Sequence, residues 1–122
     1  MAFKKRRTTI MKHVSFKDKF LRIDDKELKM EFSIKDARII DNKAIVIFDF
    51  NDLVPKYKQF NNCRAFDDNG DLIWIAEHPT NTSADFYVEF MDSKSDKLWN
   101  FSCFICQIDY KTGRLIKSEF TK

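Results

Sequence analysis

Three clusters of side chains in this sequence have types and spacing that could do chemistry. Cys103-Phe104-Ile105-Cys106 has the C-x-x-C spacing of zinc knuckles and thiol exchangers. A knuckle needs a turn between its thiols, and a redox motif needs a strand entering a helix. Phe104 and Ile105 predict extended chain instead, in which residues three apart point to opposite faces, so both thiols read as small apolar fillers. His13, His78 and Cys63 meet no metal-ligand spacing. Asp67-Asp68-Asn69-Gly70-Asp71 has the outline of a calcium loop. Counted from Asp67, however, the glycine is fourth and the twelfth residue is His78, where an EF-hand requires Gly sixth and Glu twelfth. The two glycines both stand at turn positions, which leaves none for a phosphate loop, and no Ser sits on a strand-turn-helix elbow beside a base. These patterns predict a protein with no enzymatic activity and no cofactor.

Charge carries the stronger signal. Residues 1–66 hold sixteen basic and nine acidic side chains, residues 67–96 hold eight acidic and one basic, and the remainder is basic again, within a formal net charge of +3. Asymmetry of this size speaks of partners rather than fold. Asp67, Asp68, Asp71, Glu77, Asp85, Glu89 and Asp92 are the candidate partner-binding residues, with Tyr87 and Trp99 as candidate aromatic anchors. At the other end, Lys4, Lys5, Arg6 and Arg7 form a basic arm over residues 1–7. Lys56-Tyr57-Lys58-Gln59-Phe60 interleaves cations with aromatics, as a stacking platform for single-stranded nucleic acid would.

The elements that must position these groups read as strands. Leu28, Met30, Phe32 and Ile34 alternate with polar residues and predict a half-exposed strand over 27–35, preceded by a turn at Asp24-Asp25-Lys26. Asp41-Asn42-Lys43 is a second turn. Ala44-Ile45-Val46-Ile47-Phe48 is the most β-branched run and predicts a central strand covered on both faces. A short helical turn around Leu53–Tyr57 is limited by Pro55. Asn69-Gly70 predicts a hairpin corner because both residues tolerate positive φ. Thr80-Asn81-Thr82-Ser83-Ala84 is the candidate exposed loop, and a last hairpin turns at Thr112-Gly113. No segment has a helical period of useful length. The expected fold is all-β: one domain over 8–122, a single antiparallel meander forming an open or strongly curled sheet.

A chain of 122 residues with thirteen Phe can bury a core of its own. No apolar run suits a secretory leader or a membrane span, and three cysteines fit a reducing compartment, so the expected location is cytoplasmic.

The spacing from Gly70 to Gly113 matches one four-stranded propeller blade of about 40–45 residues. Asp67 and Gly70, then Asp109, Thr112 and Gly113, resemble the hairpin repeat of quinoprotein-type blades, the second turn being one residue longer. Asn62 to Asp67, Gly70 to Trp74 and Ile108 to Lys122 are similar to a family of small bacterial proteins often found near polymorphic toxin systems. That resemblance implies a non-enzymatic immunity protein that binds a cognate toxin, which a carboxylate-rich surface would suit if the toxin were a basic nuclease. A nucleic-acid-binding β module using the basic half, and a structural or dimeric accessory protein pairing through an exposed strand edge, are the alternatives.

Overall fold

The computed structural model describes residues 10–52, 57–93 and 95–121. Among the described residues eleven strands follow one another: β1 (Val14–Lys17), β2 (Phe20–Ile23), β3 (Lys26–Lys29), β4 (Ile34–Ile40), β5 (Lys43–Phe48), β6 (Cys63–Phe66), β7 (Leu72–Ile75), β8 (Tyr87–Phe90), β9 (Leu98–Asn100), β10 (Phe104–Ile108) and β11 (Leu115–Phe120). All pairings are antiparallel between sequence neighbours, as the all-β meander requires. Pairing is interrupted twice, so the meander resolves into a first sheet of β1–β3, a middle sheet of β4–β7 and a last sheet of β8–β11.

The first interruption falls inside the predicted strand over 27–35. The chain leaves β3 at Met30, whose N–H donates to the Lys19 carbonyl, and crosses to the middle sheet. There Ser33 N–H donates to Asp52 Oδ2 and Ile34 N–H to the Asp18 carbonyl. Alternation survives this break because Met30, Phe32 and Ile34 all enter one apolar cluster, with Phe32 edge-on to Phe48 and Phe60.

β5 shows why the sheets stack. Ala44, Val46 and Phe48 pack with Leu21 and Ile23 of the first sheet, while Ile45 and Ile47 pack with Tyr87, Phe90, Leu98 and Cys106 of the last. The strand is therefore covered on both faces, and burying each of its large aliphatic side chains contributes roughly 1.5–3 kcal/mol. The three first strands, β1, β4 and β8, adjoin one another in sequence order.

The turns follow from short polar side chains. Asp41 and Asn42 both hold positive φ (53° and 54°) between Ile40 and its partner Lys43, the two-residue loop that matches strand twist. At the Asn69-Gly70 corner only the glycine is left-handed, at φ 83°. Asp67 Oδ1 accepts the N–H groups of Asn69 and Asp71 there, and Gly70 N–H donates to the Asp67 carbonyl, which makes a longer loop than an Asn-Gly pair alone would give. At the last hairpin Gly113 takes φ 78°, and its N–H reaches back to the Asp109 carbonyl.

The two corners dock alike. Gly70 lies against Leu28 of β3, and Lys26 Nζ donates to Asn69 Oδ1 at 2.9 Å. Gly113 lies against the Trp74 ring of β7, whose Nε1 donates to the Tyr110 carbonyl at 3.0 Å. Each sheet's closing corner thus engages the outer strand of the sheet before it. The basic arm over residues 1–7 and residues 53–56 of the expected helical turn lie outside the described residues; Tyr57 is in a turn.

Candidate functional site

The acidic stretch does not form one surface. Asp67, Asp68 and Asp71 stay together at the β6–β7 corner. Because that corner docks on β3, it meets a second acidic corner, Asp24-Asp25, from the β2–β3 turn. Asp24, Asp25 and Asp68 line one open depression of about 370 Å³, with Ile23 and Lys26 completing its wall. Asp24 Oδ1 also accepts the N–H groups of Lys12 and His13, which fixes where the chain enters the first sheet. Two hairpins far apart in sequence therefore gather five carboxylates. The pattern of residues 67–96 could not reveal the contribution of the first sheet.

Asp85 and Tyr87 are corrections to the expected surface. Asp85 is completely buried and Tyr87 is 1% exposed. Asp85 Oδ1 is bonded to His78 Nδ1 at 2.9 Å and accepts from Asn100 Nδ2 at 2.5 Å, while Oδ2 accepts from Thr80 N at 2.6 Å and Thr80 Oγ1 at 2.5 Å. Burial works to raise its pKa, but hydrogen bonds from Thr80, Asn100 and His78 prevail and hold the carboxyl below its ordinary value. Burial pushes His78 down despite the Asp85 carboxylate. Tyr87 fails as an anchor because its ring packs 4.8 Å from that of His78 and its hydroxyl donates to the Glu77 carbonyl. The Thr80–Ala84 loop is exposed from Asn81 to Ala84, yet Thr80 turns inward to Asp85.

An Asp-His pair is also the core of a general base. Here the other nitrogen, His78 Nε2, is itself buried and has no hydrogen-bond partner among the described residues. A base needs hydrogen-bond reach to its substrate, and this one faces the interior. The pair acts as a structural tie between the exit of β7 and the last sheet. Asn62 makes a second tie: its Nδ2 donates to the carbonyls of Phe48 and Tyr87, and its Oδ1 accepts Tyr87 N–H, all from a fully buried position.

The remaining acids are dispersed and partnered. Glu77, beyond the far end of β7, accepts Leu115 N–H at 2.9 Å. Glu89 on β8 pairs with Lys35 of β4 at 3.8 Å. Asp92 Oδ1 accepts Ser95 N–H, and its carbonyl accepts from Arg38 Nη2, whose neighbour Nη1 lies 3.6 Å from Asp96. Arg64 rests against the Phe32 and Phe48 rings and pairs with Glu31. Cations of the basic half thus offset part of the acidic stretch and are themselves committed. Trp99 is half-buried on β9.

Only Cys106 is the buried apolar filler that the sequence predicts; Cys103 is exposed, a correction to that reading. Cys103 lies in the turn before β10 with φ 69° rather than in the strand. Burial pushes Cys106 up to about 11 and raises Cys63 as well, so neither is a thiolate at neutral pH.

What these observations define is an all-β stack with a buried polar tie at one joint and an acidic depression at the other. The chain belongs to the family described as a domain of unknown function, DUF7957, whose model matches residues 11–120. No curated protein and no solved structure matches it. The basic arm lies outside the matched region.

Proposed function

We propose that this chain is a non-enzymatic, cytoplasmic binding protein that recognises a basic protein partner, in the role of an immunity protein against a bacterial toxin. The observation that supports this reading is the convergence of Asp24 and Asp25 with Asp68 on one depression, flanked by Asp67 and Asp71. Carboxylates held at two rigid corners give a fixed negative surface, which speeds encounter with a positive partner and excludes negative ones. A nuclease toxin, basic so as to hold phosphate, is the partner chemistry that fits. Asp85 and Tyr87, buried in the core, take no part in this surface.

The test is co-expression with the product of the adjacent gene. Joint purification in a salt-sensitive complex, and rescue of growth from that product's toxicity, are expected. A neighbour that neither binds nor harms the cell refutes the role.

A further inference from the structure

The repeated docking of corners leaves one strand out. β3 is engaged by the Gly70 corner of the middle sheet, and β7 by the Gly113 corner of the last. β11 is the outer strand of the last sheet, and among the described residues no glycine corner docks on it. It is six residues long where β3 and β7 have four, and Ile116 and Phe120 are 60% and 64% exposed. A long uncovered edge bearing large apolar groups is a template for another strand. Face-on stacking of a further sheet is disfavoured. The residue four beyond the corner glycine is Trp74 in the middle sheet and the exposed Lys117 in the last, so the ring that receives a corner is replaced by a charge.

The charge pattern of β11 selects the occupant. Lys117 and Glu119 flank Ser118 on one face of the strand and pair with each other at 2.8 Å. Laid antiparallel on a second β11 about a twofold axis at Ser118, each Lys117 falls opposite the partner's Glu119 and each Ile116 opposite the partner's Phe120. Directly opposed side chains come within about 4.5–5.5 Å, so two favourable charge pairs and two apolar pairs form at once. β7 lacks this self-match, since Asp71 and Glu77 bound it and a copy laid against it brings acid toward acid. We infer that β11 is a homodimerisation edge, pairing antiparallel with β11 of a second copy in the register centred on Ser118 and joining the two last sheets into one of eight strands. A closed isologous contact of this kind uses the edge on both copies and leaves the acidic corners outside it.

Sedimentation equilibrium of the full chain from micromolar to millimolar concentration tests this. A monomer–dimer equilibrium is expected. Lys117→Glu and Glu119→Lys each set like charges against each other twice and weaken the dimer by about tenfold or more. Mixing the two variants restores association, because one copy then carries two acids and the other two bases. The double exchange Lys117→Glu with Glu119→Lys restores it within a single chain. Circular dichroism and thermal melts of each variant confirm folding, which these exposed positions should preserve. A chain monomeric throughout, a dimer indifferent to either reversal, or a mixture that fails to recover affinity overturns the proposal.

Discussion

Asp68 and Asp85 come from the same acidic stretch and meet opposite fates at the two joints of the stack. Between the first and middle sheets, Asp68 joins Asp24 and Asp25 around an open depression, and the contact beneath is made by Leu28 and Gly70. Between the middle and last sheets, Asp85 is sealed with His78, Thr80 and Asn100, and Asn62 bridges β5 to β8 nearby. Carboxylates therefore do two kinds of work here. At one joint they line an open depression; at the other, ordered hydrogen bonds fix how two sheets meet. A charge count along the chain treats them alike, whereas desolvation separates them.

The largest expected effect comes from breaking the buried joint. Asp85→Ala leaves Thr80, Asn100 and His78 without their shared acceptor and should cost about 3–5 kcal/mol in urea unfolding. Asp68→Ala should stay within about 0.5 kcal/mol of the parent. Comparable losses at the two positions would erase the distinction.

The corner glycines sharpen the contrast. A Cβ on Gly113 would stand 2.7 Å from Trp74 Cε3, in a ring anchored to the Tyr110 carbonyl. On Gly70 it would stand 3.1 Å from the pliable Cδ1 of Leu28. Both positions are left-handed, so each Ala substitution costs about 1–2 kcal/mol from the backbone. Overpacking against the ring adds more at Gly113, for a total of about 3 kcal/mol. Thermal melts in which Gly70→Ala is the more damaging would contradict the docking described.

A smaller effect belongs to pH. His78 has its pKa lowered in the folded chain, from an ordinary 6.5, chiefly by burial. The unfolded chain therefore takes up this proton first as pH falls. Stability is full above pH 6.5 and declines from there toward the lower folded value, by at most about 1.4 kcal/mol per pH unit from this residue. Asp85, also lowered, acts in the same direction from its ordinary 3.8 downward. Urea midpoints from pH 7.5 to pH 5 should fall in the parent and be flatter in His78→Asn.

Strand positions were largely legible because period-two alternation and turn residues are local. Ala44–Phe48 as a doubly covered strand and the turns at Asp41-Asn42 and Gly113 follow from such signals. The division into three sheets was not legible, because Met30 and Phe32 keep their alternation across the gap between sheets. Tertiary polar roles were hidden too. Nothing near Asn62 or Asp85 marks either as interior, since their partners, Tyr87, Asn100 and Thr80, are recruited by the packing of the last sheet on the middle one. The Asp24-Asp25 contribution to the acidic depression was hidden for the same reason: it reads as turn chemistry alone, and only docking of the Gly70 corner on β3 brings it to Asp68.

The central claim is that this depression receives the partner. Titration calorimetry of the purified partner against the parent chain and the triple variant Asp25→Lys, Asp68→Lys, Asp71→Lys measures it directly. The account predicts tight, salt-dependent binding to the parent and loss of about a hundredfold or more in the variant, with the urea midpoint nearly unchanged. Equal affinity of the two chains for the partner would contradict it.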